Sequence, residues 1–294
     1  MARRTRNEPP CAGVRFEPDF LHRLQRFAER VAAARERREG GITASLAGGG
    51  HEFVGYRPYR AGEDLRALDW SLLARTDRPF VHVTRREAGE RWLVALDTSG
   101  SMGVGPPGKL QRAAEAAAAL CVSGLRLAAD VSIIAGSNGA RPALELSQRS
   151  ELRGLLAFLE SLRAHGEPSL ARDALAASAR GAARVFVISD LFSFTPADVM
   201  PLARAGRELA LVQILAPIEL HPSFDETVEW WDPENGERLS LALDERTCAS
   251  YAIELEKRLE AWRAAAAERR VGYACSSSAL AFEDTLRRVL RGLR

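Results

Sequence analysis

The chain has 294 residues, 46% of them hydrophobic, with 41 basic against 39 acidic side chains and a formal charge of +2. That balance excludes a nucleic-acid-coating role driven by bulk charge and supports a sizeable soluble core. No apolar run reaches the roughly 20 residues that span a bilayer, and Arg3-Arg4-Thr5-Arg6 leads into polar sequence rather than the apolar core of a signal peptide, so the expected location is cytoplasmic.

In chain order, residues 1–17 read as an irregular basic segment, and Phe20, Leu21, Leu24, Phe27, Ala28 and Val31 then fall at helical spacing between Pro18 and Glu39. Residues 51–90 are polar and aromatic by turns, and within them 79–85 alternates well enough for a strand. From Trp92 the pattern becomes regular. A buried strand over 92–97 precedes an Ala-rich helix over about 109–128 and a second strand over 131–135, with Asn138-Gly139 as a hairpin turn into a short antiparallel partner over 143–146. Helices near 150–163 and 171–180 lead to a third strand, Val185-Phe186-Val187-Ile188, then a helix over 196–206 and a strand over 208–215. A small hairpin insertion near 222–243, a long amphipathic helix over 244–269, a strand over 271–275 and a helix over 279–291 complete the chain.

Alternating strands and helices predict an α/β fold: a doubly wound, mostly parallel sheet flanked by helices over residues 92–294. Residues 1–91 form an N-terminal extension with a helix and an irregular or β segment. In such sheets ligands bind beyond the carboxyl ends of the strands, which is where Asp97 and Asp190 fall.

Asp97-Thr98-Ser99-Gly100-Ser101 places a carboxylate and two hydroxyls at alternating positions directly after a strand. Hard oxygen donors of this kind suit a small octahedral cation, Mg²⁺ or alternatively Mn²⁺ or Ca²⁺, with an open position for a carboxylate from another protein. The pattern therefore points to metal-dependent adhesion rather than catalysis. Against it stands a purely structural reading, a capped turn after a strand in a scaffold with a vacant metal site.

A further alternative comes from Gly103 to Leu110, which matches G-x-x-x-x-G-K between a strand and a helix. Leu110 lacks the hydroxyl that a phosphate loop uses on Mg²⁺, and Pro106 and Pro107 remove two backbone donors. Nucleotide hydrolysis is thus the weaker reading, and Lys109 reads as an ordinary residue at a helix start. The cysteines (Cys11, Cys121, Cys248, Cys275) are far apart, and the five histidines lack ligand spacing, so neither a disulfide framework nor a zinc site is expected.

Residues 92 to about 216 resemble a von Willebrand factor A domain, whose metal-ion-dependent adhesion site uses D-x-S-x-S, then a Thr, then an Asp. The resemblance implies that Asp97, Ser99, Ser101 and Asp190 hold the ion. At the Thr position this chain reads Gly166-Glu167-Pro168-Ser169, so Ser169 is the candidate hydroxyl. Upstream, Glu52-Phe53, Arg57-Pro58-Tyr59, Gly62-Glu63-Asp64-Leu65-Arg66, Asp69-Trp70 and Ala74-Arg75-Thr76 occur in an order similar to the bacterial family catalogued as domain of unknown function number fifty-eight. Two readings apply to this segment: a brace of Arg–carboxylate pairs against the sheet domain, or a partner-binding face. The family resemblance implies a non-enzymatic adaptor working with a MoxR-type AAA+ ATPase or its client, while the alternation of charge argues against nucleic acid and the lack of a long apolar run against membrane insertion.

Overall fold

The structure, a computed structural model, describes residues 13–38, 51–59, 69–86, 90–136, 142–167, 172–222, 228–231, 238–241 and 244–291. Its elements in chain order are α1 (Phe20–Arg38), β1 (His51–Pro58), α2 (Trp70–Thr76), β2 (Phe80–Arg86), β3 (Arg91–Asp97), α3 (Lys109–Arg126), β4 (Asp130–Gly136) and β5 (Ala143–Leu146). They continue with α4 (Leu152–Ser161), α5 (Arg172–Ser178), β6 (Arg184–Ser189), α6 (Pro196–Val199), β7 (Glu208–Leu215) and α7 (Pro217–Leu220). Last come β8 (Val228–Trp231), β9 (Arg238–Leu241), α8 (Glu245–Arg269), β10 (Gly272–Ser277) and α9 (Phe282–Arg291). Two units result: Met1–Ala32 together with Glu90–Arg294, and Ala33–Gly89.

The larger unit is built on a six-stranded sheet of order β10-β7-β6-β3-β4-β5, parallel throughout except for the antiparallel β4–β5 pair. Its central strands β3, β6 and β7 read as nearly continuous apolar runs because both faces are covered. Along β3, Trp92, Val94 and Leu96 point into one layer with α3, α4 and α9, while Leu93 and Ala95 point into the other, where Leu175, Trp262 and Ala266 pack. Small residues on α3, from Ala113 through Ala119, are fully buried and let that helix lie close on the sheet. Gly124 takes this furthest: a Cβ there would stand 2.7 Å from Val131 and 2.8 Å from the Trp92 ring.

Three expectations are corrected. The helix foreseen over 196–206 is the single turn α6 followed by a 3-10 turn over Met200–Leu202, because Pro201 has no N–H to continue an α-helical ladder. The boundary at residue 91 shifts for the first part of the chain, since Phe20, Leu24 and Phe27 belong to the same core as α9. Phe20 and Phe27 meet Phe282 edge-on at 5.6 and 5.7 Å, and Arg23 forks onto Glu283 with two bonds of 2.8 Å. Third, the stretch from 51 to 90 carries a strand and a helix, β1 and α2, that its mixed composition did not reveal. The Asn138-Gly139 turn lies outside the described residues, although β4 and β5 pair antiparallel as expected.

The smaller unit pairs β1 with β2 antiparallel, with an irregularity between Phe53 and Gly55. Asp69 caps α2 by accepting from the Leu72 N–H at 2.9 Å, and its own N–H reaches the Phe80 carbonyl. Arg75 donates to the Ser71 carbonyl within the same helix. Glu63, Asp64 and Arg66 lie outside the described residues.

Candidate metal centre

Strand β3 leads to β4 on one side of the sheet, and the chain then returns to β6 on the other side of β3. The order therefore reverses between β3 and β6, the position at which sheets of this kind place ligands beyond the carboxyl ends of their strands. Asp97 closes β3, and Ser189-Asp190 closes β6, one residue beyond the Leu96–Ile188 pairing. Sequence and topology thus bring the two carboxylates to the same switch point.

Local bonds fix the D-x-S-x-S turn. The Ser99 N–H donates to Asp97 Oδ1 at 2.9 Å, and the Ser99 and Ser101 hydroxyls stand 3.1 Å apart. A neighbouring loop holds the turn from outside: the Gly100 N–H donates to the Gly166 carbonyl at 2.8 Å, and the His165 N–H to the Thr98 carbonyl at 3.0 Å. This is the loop that contains the Thr-like position, but Ser169 itself lies outside the described residues. Asp97, Ser99 and Asp190 are buried, while Ser101 is only half-buried and marks the exposed side of the group.

Ser189 ties the two strand ends together. Its hydroxyl donates to Asp97 Oδ2 at 2.7 Å and accepts from the Leu191 N–H at 2.9 Å. Leu191 is fully buried with φ of +59°, a left-handed conformation that a leucine rarely adopts. Around it, Asp190 Oδ1 accepts from the Phe192 N–H, and Arg258 of α8 donates to the carbonyls of Leu191, Phe192 and Phe194. On the other flank Gln213 donates to the Asp190 carbonyl at 2.7 Å and accepts from the Tyr273 hydroxyl at 2.6 Å.

Lys109 corrects the reading of an ordinary helix-start residue. Its side chain is wholly buried, and its ammonium donates to Asp190 Oδ2 at 2.7 Å and to Glu219 Oε1 at 2.6 Å. Glu219 sits on α7, just past the end of β7, and its other oxygen accepts from the Ala216 N–H at 2.7 Å. The lysine of the G-x-x-x-x-G-K pattern thus spends its charge on carboxylates. One sequence signal marks it: only Lys109 and Lys257 are lysines in an arginine-rich chain.

Burial pushes the Asp97 carboxyl up, nearby Asp190 adds to this, and the bonds from Ser189 and Ser99 oppose it. Burial alone would lower Lys109, but Asp190 and Glu219 outweigh it and hold the ammonium charged. Burial also raises Glu219, against the pull of Lys109.

The donors fit a small divalent cation on two counts. At a metal–oxygen distance of about 2.1 Å, adjacent ligands of an octahedral Mg²⁺ lie about 3.0 Å apart, close to the separation of the Ser99 and Ser101 hydroxyls. Asp97 and Asp190 add carboxylate oxygens to the two hydroxyls, the hard donor set such an ion takes, with Lys109 already bonded to Asp190 Oδ2. Among the described residues no group of three or more His, Cys, Asp and Glu is placed to hold a metal ion, Asp97, Asp190 and Glu219 included, so a site here depends on the serine hydroxyls.

The family model for Protein of unknown function DUF58 matches residues 55–260. No curated protein matches the chain. Among solved structures it is similar to the conserved hypothetical protein BatB from Bacteroides thetaiotaomicron, at 16% identity over 69% of this chain and 98% of that one, with a TM-score of 0.45. It is also similar to an aerotolerance-related membrane protein from Bacteroides fragilis NCTC 9343 (16% identity, 70% and 100% covered, TM-score 0.42). A pilus adhesin, SpaC from Lactobacillus rhamnosus GG in an open conformation, is more distant at 10% identity, 69% and 26% coverage and a TM-score of 0.28. No helix among the described residues is long and apolar enough to cross a membrane. Because the family model spans most of its length, the chain belongs to the DUF58 family of proteins of unknown function.

Proposed function

We propose that this protein is a non-enzymatic interaction module that captures a partner through a Mg²⁺-dependent adhesion site of von Willebrand factor A type. The observation that carries the reading is the convergence of Asp97, Ser99, Ser101 and Asp190 at the switch point. Ser99 and Ser101 would hold the ion directly, and Asp97 and Asp190 would anchor it, with Ser169 as the candidate further hydroxyl. The ion supplies an electrophilic point that a partner's carboxylate can ligate. This chain's own contribution is orientation: Ser189 sets the Asp97 carboxylate, and the Gly166 carbonyl steadies the peptide between the two serines.

The partner proposed is a MoxR-type AAA+ ATPase or its client, on the strength of the family resemblance. The test is co-sedimentation of the full chain with the MoxR-type ATPase of the same organism, in Mg²⁺ and in chelator. Association in Mg²⁺ that is lost in chelator and in Asp97→Ala is expected. Equal association under all three conditions would overturn the metal-dependent reading. Such a result would favour the second one, a scaffold that needs no ion, which draws support from Lys109 supplying a positive charge to Asp190 from within.

A further inference from the structure

A buried lysine at a cation site is the feature that the adhesion reading leaves unexplained. Lys109 begins α3, at the foot of the turn that carries Ser99 and Ser101, and its ammonium bridges two carboxylates 110 residues apart at most from it in sequence. Asp190 is one end of that bridge and the anchor proposed for the ion at the other strand end. Glu219 is the other end, and it is no part of the proposed ligand set. The ammonium also stands 5.4 Å from the centre of the Phe192 ring, whose face favours a cation.

Two positive charges drawn to one carboxylate repel each other strongly in a low-dielectric site. We propose that Lys109 is a resident counter-ion that competes with the divalent cation for Asp190, with Glu219 as the holding station to which its ammonium retreats when the ion binds; this rests on the metal reading above. The consequence is a site tuned to weak intrinsic affinity. Filling it becomes favourable when a further negative charge arrives, which is what a partner's carboxylate brings. Occupancy and capture are then coupled, and the isolated chain does not hold a tight ion that would attract carboxylates indiscriminately.

Glu219 is well placed for this role. Its second oxygen is fixed by the Ala216 N–H, and its backbone carbonyl accepts from the Tyr251 hydroxyl at 2.9 Å, so the carboxylate stays put whether or not Asp190 shares the ammonium. A lysine serving only to neutralise Asp190 would need no second carboxylate.

The experiment measures Mn²⁺ binding to the full chain by the loss of the free-ion electron paramagnetic resonance signal, alongside the melting temperature with and without Mn²⁺. Wild type is compared with Lys109→Met, with Lys109→Met/Glu219→Leu, and with Asp97→Ala added to Lys109→Met. The Lys109→Met/Glu219→Leu variant removes one positive and one negative charge together, and it gives the same readout where Lys109→Met alone fails to fold. The expected result is Mn²⁺ affinity about tenfold or more above wild type when the ammonium is gone. A larger Mn²⁺-dependent rise in melting temperature should accompany it, and Asp97→Ala should abolish both. Affinity equal to or below that of a Mn²⁺-binding wild type would overturn the counter-ion role and leave the metal reading standing. Absence of Mn²⁺ binding in wild type and in the Lys109 variants alike would overturn both.

Discussion

Replacing Ser189 by Ala removes the one hydroxyl that joins the two strand ends of the site. The wild-type oxygen donates to Asp97 Oδ2 at 2.7 Å and accepts from the Leu191 N–H at 2.9 Å, and all three residues are buried. Loss of a hydrogen bond to a charged acceptor costs about 1.5–3 kcal/mol, and an orphaned buried N–H costs about 1–3 kcal/mol. Because both bonds share one atom, their costs do not simply add. Ser189→Ala is therefore expected to lower unfolding free energy by about 2–4 kcal/mol in total. With a urea m-value of about 3 kcal/mol/M, the midpoint falls by roughly 1 M with the slope unchanged. Circular dichroism across a urea series at neutral pH makes the measurement. Combining Ser189→Ala with Asp97→Ala should cost less than the two single losses together, since both delete the same bond. A loss below about 1 kcal/mol, or full additivity, would refute the claim that Ser189 couples β3 to β6.

Two further outcomes test the fold around the site. Gly124→Ala gains about 1 kcal/mol in helix propensity but forces a methyl to within 2.7 Å of Val131 and 2.8 Å of Trp92, at about 1–3 kcal/mol of overpacking. A net destabilisation seen by thermal melting is expected, and a stabilised variant would show that α3 can lift off the sheet freely. At Glu283, burial alone would raise the carboxyl, but the Arg23 fork outweighs it and holds the value below the ordinary 4.5. A depressed folded value contributes stability above the unfolded pKa and loses it as pH falls through the folded one. Glu283→Gln should thus cost about 0.5–1 kcal/mol at neutral pH, discounted for partial exposure, and progressively less in acid below pH 4.5. A pH-independent difference between the two proteins would remove the fork from the account.

The sheet was legible because its strands are buried on both faces, so Trp92 to Leu96 and Val185 to Ile188 stand out as unbroken apolar runs. Asp97 and Asp190 were legible for the same reason, being the first carboxylates past those runs. Lys109 was not, because its meaning lies in bonds spanning 81 and 110 residues, and no local pattern distinguishes it from a helix-start lysine. Nor were Ser189 and Glu219, whose roles depend on which strand ends lie side by side. The helix α1 was readable, but its attachment to α9 was not, since it rests on aromatic contacts between residues more than 250 positions apart. In residues 51–90 the alternation of charge and aromatics matches neither helical nor strand period, so β1 and α2 stayed hidden while β2 did not.

The central claim is that the β3 and β6 strand ends hold a divalent cation, and an anomalous difference map from a crystal soaked in Mn²⁺ and ADP tests it most directly. The account predicts a single peak beside the Ser99 and Ser101 hydroxyls, absent from Asp97→Ala crystals grown and soaked alike, with no nucleotide on residues 103–109. A map without that peak from wild-type and Lys109→Met crystals alike, in a lattice that leaves Ser101 open to solvent, or one with nucleotide wrapped by residues 103–109, would contradict it.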